Sequence, residues 1–218
     1  MREHLTTRTI RFLVLKGIPL AKSLGNSLSD RLIGDNDILV RKADAHRALR
    51  ALSELGYARA LPYSLRSALK SEWQYPLIRI TPERVFHVDL HWSPFSDRLY
   101  NSDEDFIWKH MVTDAGGFLV LDEPMTAVQL AAHMASHRFA EERVLRDFKA
   151  AWGRLDASQR SKSFEMAQCL GLAPTLDYVL LLSGDETLRN QSVRARLVFR
   201  ASPRVRTTDN IQLDYLGR

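Results

Sequence analysis

Asp35 and Asp37 stand one residue apart in "LIGDNDILV", residues 32–40, and Asp89 stands in "RVFHVDLHW", residues 84–92. Residues i and i+2 of a strand project to one face, so on a strand the first two carboxylates lie together. Two bare carboxylates that close repel, and one tends to keep its proton. Burying either of them unpaired is costly. A divalent cation removes the conflict: Mg²⁺ favours an oxygen shell of one or two carboxylates, water and substrate phosphates. Three carboxylates can hold two ions, one clamping a triphosphate and the other activating an attacking hydroxyl. Taken alone, "GDND" reads as a polar turn, since Asp, Asn and Gly clusters mark turns, with Asp89 a solvated strand residue. The third carboxylate, and the order of elements around all three, favour the cation site.

"VLKGIPLA", residues 14–21, supplies a second half for such a site. A strand ends at Lys16-Gly17 and a helix begins. Glycine lets backbone approach a phosphate closely, the free N–H groups of a helix start attract anions, and Lys16 adds a point charge. Strand–glycine–helix is weak evidence by itself. Gly17 followed 18 residues later by Asp35-Asn36-Asp37, and then by a third aspartate on another strand, is more specific.

The elements that must position these residues follow from periodicity. "TIRFLVLKG" predicts a buried strand over Thr9 to Leu15, and Pro19 suits the first turn of the next helix, which Gly25-Asn26 ends. A strand is expected from about Asp35 to Arg41. In "KADAHRALRALSELGY", Ala45, Ala48, Leu49, Leu52 and Leu55 recur at helical spacing and Gly56 stops the helix. "SLRSALKSE" predicts a short helix. "PLIRI" and "RVFHVDLHW" predict two strands joined by "TPE". In the second of these, Phe86, Val88 and Leu90 share one face, and Val85, His87, Asp89 and His91 the other. After about residue 100 the pattern turns acidic and then helical through "MTAVQLAAHMASHRFAEERVLRDFKAAWGRL", "SKSFEMAQCLGL" and "TLDYVLLLSG". The fold class expected is α+β: a mixed sheet flanked by helices over 1–115, then a mostly helical region over 116–218.

The 218 residues, 45% apolar and 26% charged, describe an ordinary globular chain. A net charge of +5 and a pI near 9.5 favour anionic partners weakly. One cysteine, Cys169, excludes an internal disulfide framework and a cysteine-based zinc cluster, and a lone cysteine usually reads as a small buried side chain. "FLVL" is too short for a signal peptide, and no run nears the roughly 20 apolar residues of a membrane span. No membrane association and a cytoplasmic location are expected. The last thirty residues carry Arg194, Arg196, Arg200, Arg204 and Arg206, either a solvated surface or a phosphate-contacting patch.

These motifs together resemble the nucleotidyltransferase superfamily that includes DNA polymerase β, with its glycine loop and helix, Asp-x-Asp strand and third acidic strand residue. The resemblance is nearer to one uncharacterised branch whose first motif reads Leu-Lys-Gly. Its second motif has an arginine four residues before "DxDLLV" and then a helix ending "LxxLGY", matched by Arg31, "DNDILV" and "LSELGY". Its third, "xDLHW", is matched by "VDLHW", and a later helical pair of histidines followed by an aspartate by His133, His137 and Asp147. The resemblance runs from about Phe12 to Asp147. It implies that Asp35, Asp37 and Asp89 are the catalytic metal ligands, for Mg²⁺ or Mn²⁺, and that Lys16, Gly17 and Arg31 bind an NTP as substrate. The implied activity is transfer of a nucleoside monophosphate to a hydroxyl acceptor with release of pyrophosphate. Asn36 departs from the apolar residue usual between the aspartates; it points to the opposite face and leaves the ligands intact. The superfamily's loop serine is absent here, as in the nearer branch.

Other residues keep two readings at this point. His133 and His137, four apart, share a helix face; that spacing can bind zinc, but "MAS" between them lacks the glutamate of a metalloprotease helix. They read as packing or as acceptor or nucleotide support. His91 either orients Asp89, touches a phosphate or packs, Trp92 reads as a core or rim aromatic, and Arg31 as a partner of Asp35 or Asp37, a triphosphate contact or a surface residue. The rival to the enzyme is a non-catalytic nucleotide- or partner-binding module of the same fold. A weaker rival is an RNA-binding protein using the arginine-rich tail. The acceptor (small molecule, peptide, protein or RNA), the base of the NTP and the oligomeric state stay open.

Overall fold

The structure, a computed structural model, describes residues 1–23, 35–96, 100–101 and 103–184, and for Ile18, Pro19, Ser23 and Asp35 the backbone alone. The chain divides into two compact units, one formed by Met1–Asp97 with Ser102–Asp122, the other by Arg98–Asn101 with Glu123–Arg218.

The first unit contains, among the described residues, a five-stranded sheet ordered β1 (Phe12–Val14), β2 (Asp35–Val40), β5 (Val85–His91), β4 (Gln74–Ile80) and β3 (Ala58–Arg59). β2 and β5 run parallel and the other pairs antiparallel, so the sheet is mixed as expected. Alternation decides its two faces. Phe12, Val14, Ile38, Val40, Tyr75, Leu77, Val88 and Leu90 form one core with Ala48 and Leu52 of α3 (Ala45–Glu54) and with Leu65 and Ala68 of α4 (Leu65–Ser71). Asp37, Asp89 and His91 fall on the opposite parity. α3 ends at Gly56, whose φ of 85° suits a residue without a Cβ.

β4 carries a proline in mid-strand. The Pro76 carbonyl accepts from Ala60 N, so the nitrogen that lacks a proton faces the β3 side and the ladder to β5 is kept. The β4–β5 turn closes where Thr81 N donates to Arg84 O and Arg84 N donates to Thr81 Oγ1.

Two short elements depart from the expected order. The strand predicted from Thr9 begins only at Phe12, because α1 (Arg2–Thr6) precedes it and Thr9 turns the chain at φ 53°. After α5 (Glu104–Lys109), capped where the Asp103 carboxylate accepts from Phe106 N, a hairpin of β6 (Met111–Thr113) and β7 (Leu119–Leu121) interrupts the expected helical run. Its turn is built by Asp114 Oδ1, which accepts from Gly116 N and Phe118 N.

The second unit is helical: α6 (Glu123–Ser136), α7 (Glu142–Arg154), α8 (Ala157–Cys169) and α9 (Ala173–Ser183). α6 buries residues all round its axis, including Met125, Val128, Leu130 and Met134, as a central helix must, and α7, α8 and α9 pack on it. α8 starts in a reciprocal cap between Asp156 and Gln159. Cys169, expected to be buried, is exposed at the end of that helix, where Ala167 and Leu170 take the inward positions instead. No described helix is long and apolar enough to cross a membrane.

Candidate active site

The parallel pairing of β2 with β5 places Asp37 and Asp89 as direct register partners. Antiparallel pairing of β1 with β2 continues one residue further, where Leu15 N donates to Asp37 O. Lys16, the next residue, therefore leaves the sheet beside Asp37. Its Nζ stands 3.2 Å from Asp37 Oδ2, and both side chains are largely buried. At Gly17 the backbone turns at φ 84°, in the left-handed region that a Cβ disfavours, and the Gly17 carbonyl accepts from Ala21 N in the first turn of α2 (Ile18–Ser23). Gly17→Ala is expected to lower stability by about 1–2 kcal/mol through this backbone strain, read from chemical denaturation of the full chain.

His91 closes the other side of Asp37. Its Nε2 is 3.0 Å from Asp37 Oδ1 and its Nδ1 is 3.2 Å from the Ser93 carbonyl. Carbonyl and carboxylate oxygens only accept, so a ring carrying both protons makes the two bonds together. Burial by itself raises the pKa of the Asp37 carboxyl. The hydrogen bond and charge of His91, and the ammonium of Lys16, outweigh it and hold that carboxyl well below the usual carboxylate range. Asp37 is thus an anion kept charged in a largely dry place by two basic side chains.

Asp89, half-buried, accepts from the Gln74 amide, Nε2 to Oδ2 at 3.4 Å, across the β4–β5 pair. One donor atom each from Asp37, Asp89 and His91 lies within 4.8 Å of the other two. The carboxylate pair fits an oxygen-preferring divalent cation. Both His91 nitrogens already face Asp37 and Ser93, so His91 is better suited to orient Asp37 than to ligate. A cation arriving at Asp37 Oδ2 competes with Lys16, which carries the same sign of charge.

Of the residues expected at the site, Lys16, Gly17, Asp37, Asp89 and His91 come together here. Asp35 opens β2 opposite His87 in the register, and its side chain lies outside the described part. Arg31 and the arginines of the last thirty residues also lie outside the described residues. His133 and His137 belong to the second unit, with ring centroids 4.5 Å apart. Trp92 is a core aromatic whose Nε1 donates to Glu72 O. Gln74 was not among the expected residues; its position opposite His91 in the β4–β5 hairpin was the available signal.

A family model described as "Uncharacterised nucleotidyltransferase" matches residues 1–185. The chain belongs to this nucleotidyltransferase family. The fold agrees with it: the solution structure of the antibiotic-resistance factor ANT(2'')-Ia matches with a TM-score of 0.50 at 10% identity, over 89% of this chain and 91% of that one. At that identity the likeness concerns the fold alone. No curated protein matches the sequence. Membership gives the site its context, because the Lys16-Gly17 turn, the Asp35–Asp37 strand start and Asp89 all fall inside the family match.

Proposed function

We propose that the protein transfers a nucleoside monophosphate from an NTP to a hydroxyl acceptor. The observation that carries this reading is the pairing of Asp37 with Asp89 on adjacent parallel strands, with Lys16 Nζ at 3.2 Å from Asp37. Asp37 and Asp89, with Asp35, would hold Mg²⁺ or Mn²⁺, which when bound neutralises triphosphate charge and favours ionisation of the attacking hydroxyl. Lys16, displaced from Asp37, turns its ammonium to the phosphates, and the Gly17 turn lets backbone come close to them. His91 holds Asp37 in orientation through Nε2. Asp89 accepts the proton of the acceptor hydroxyl. The acceptor oxygen then bonds to the α-phosphorus, the bond from that phosphorus to the bridging oxygen breaks, and pyrophosphate leaves. Catalysis on this reading is positioning and charge stabilisation.

A second reading, a nucleotide-binding module without turnover, is favoured by one observation: both oxygens of Asp37 already have partners, Lys16 on Oδ2 and His91 on Oδ1. The test incubates the full chain with each α-labelled NTP, Mg²⁺ and cell extract, and follows labelled product together with pyrophosphate. Transfer of label with matching pyrophosphate release, lost in Asp89→Asn, is the outcome expected of the enzyme. NTP binding with no pyrophosphate from any of the nucleotides leaves the module.

A further inference from the structure

We propose a second cation site, for a transition-metal ion of the Zn²⁺ class, formed by His133, His137 and Glu141 where α6 gives way to α7. It lies wholly within the helical unit and is independent of the transfer reaction proposed above.

The three residues follow one another at intervals of four, but Glu141 is not on α6. The chain closes that helix with His137 N donating to His133 O and Phe139 N to Met134 O. It then reverses through Arg138 at φ 54° and Phe139 at φ 58°. Two consecutive left-handed residues with side chains are uncommon, and here they bring Glu141 back to His137. Glu141 is the N-cap of α7, yet its side chain caps no helix N–H. Its Oε1 stands 3.5 Å from His137 Nδ1, and its Oε2 is buried with no hydrogen-bond partner among the described residues.

These distances suit a shared ion better than a direct bond. A charge-assisted N–H···O bond spans about 2.7–2.9 Å. Two ligands about 2.1 Å from a tetrahedral ion stand about 3.4 Å apart. The His133 and His137 rings pack edge to face with centroids 4.5 Å apart, and one donor atom from each of the three residues lies within 4.8 Å of the others. Two imidazole nitrogens and one carboxylate oxygen are a donor set that Zn²⁺ accepts with its fourth position open, and a poor one for Mg²⁺ or Ca²⁺. The His137 and Glu141 side chains are 43% and 39% exposed, so an ion has a route in. Bound there, it would tie the end of α6 to the start of α7.

The test titrates the metal-free full chain with Zn²⁺, with Mg²⁺ present throughout to occupy the carboxylate site, and repeats this for His137→Ala and Glu141→Gln. One Zn²⁺ per chain should bind to the unaltered protein. At a hundredfold excess over Kd the ion should raise its Tm by about 5 °C. Each variant should bind at least about tenfold more weakly, and neither should show the Tm rise. Co²⁺ in place of Zn²⁺ should give a visible absorption band that both variants lose. The metal-free Tm of Glu141→Gln, an isostere, establishes that its fold is intact. The proposal is overturned if Zn²⁺ leaves the Tm of the unaltered protein where it was. It is equally overturned if both variants keep the same Zn²⁺ affinity, which would leave an ordinary histidine–glutamate ion pair.

Discussion

On the proposed reaction, Asp89→Asn is expected to lower nucleotidyl transfer about 10²–10⁴-fold, the range for removing a positioned proton acceptor, while stability stays within about 1 kcal/mol. The separation follows from where Asp89 sits. It is half-buried on the sheet face opposite the apolar core, and the side-chain oxygen of asparagine still accepts from the Gln74 amide. Its backbone remains in register between Asp37 and Pro76. Asparagine keeps the shape and removes the negative charge, which is what a cation and a departing proton both need. Pyrophosphate release and thermal unfolding, measured on one preparation, check the two halves. Loss of activity that merely tracks loss of fold would assign Asp89 a structural role.

Asp37→Asn has a larger effect on stability, because it strips a buried anion from two basic neighbours. Lys16 and His91 are themselves largely buried, and removing one partner of a buried pair costs about 3 kcal/mol or more. The same residue gives a pH signature. Its folded pKa lies below the unfolded value: burial raises it, but the His91 hydrogen bond and the charges of His91 and Lys16 lower it further. The stabilisation is therefore complete above the ordinary aspartate pKa of about 3.9 and is lost as pH falls below that value toward the folded one. The stability difference between the unaltered chain and Asp37→Asn should shrink as pH falls from about 4 downward. Denaturation curves over that range check it. A difference that grows on acidification would contradict the pairing.

Much of this site was legible in the chain, for particular physical reasons. Strict alternation in "VFHVDLHW" separates Val88 and Leu90, which enter the apolar core, from Asp89 and His91 on the other face, where His91 is nonetheless buried against Asp37. α3 announced itself through Ala45, Ala48 and Leu52, all fully buried. Pairing was not legible. The sequence offers Asp89, two residues away on its own strand, as a partner for His91, yet His91 bonds to Asp37 on the neighbouring one. That choice depends on the parallel register between β2 and β5, which no local pattern specifies. The sequence points Lys16 to phosphate, and the structure has it on Asp37, because the antiparallel ladder of β1 extends to Leu15. The β6–β7 hairpin escaped notice because strands of three residues are too short for a period to register. Glu141 escaped because a left-handed reversal at Arg138 and Phe139, neither a glycine, gives no composition signal.

On the proposed reaction, Asp37 and Asp89 would grip one divalent cation and release Lys16 to the triphosphate. Crystals grown with Mn²⁺ and a non-hydrolysable NTP test it directly through anomalous scattering. A manganese peak is expected about 2.1–2.2 Å from an oxygen of each aspartate, with Lys16 Nζ moved from Asp37 onto a phosphate. Nucleotide bound elsewhere, or Lys16 still at Asp37 with no manganese between the two carboxylates, would contradict it.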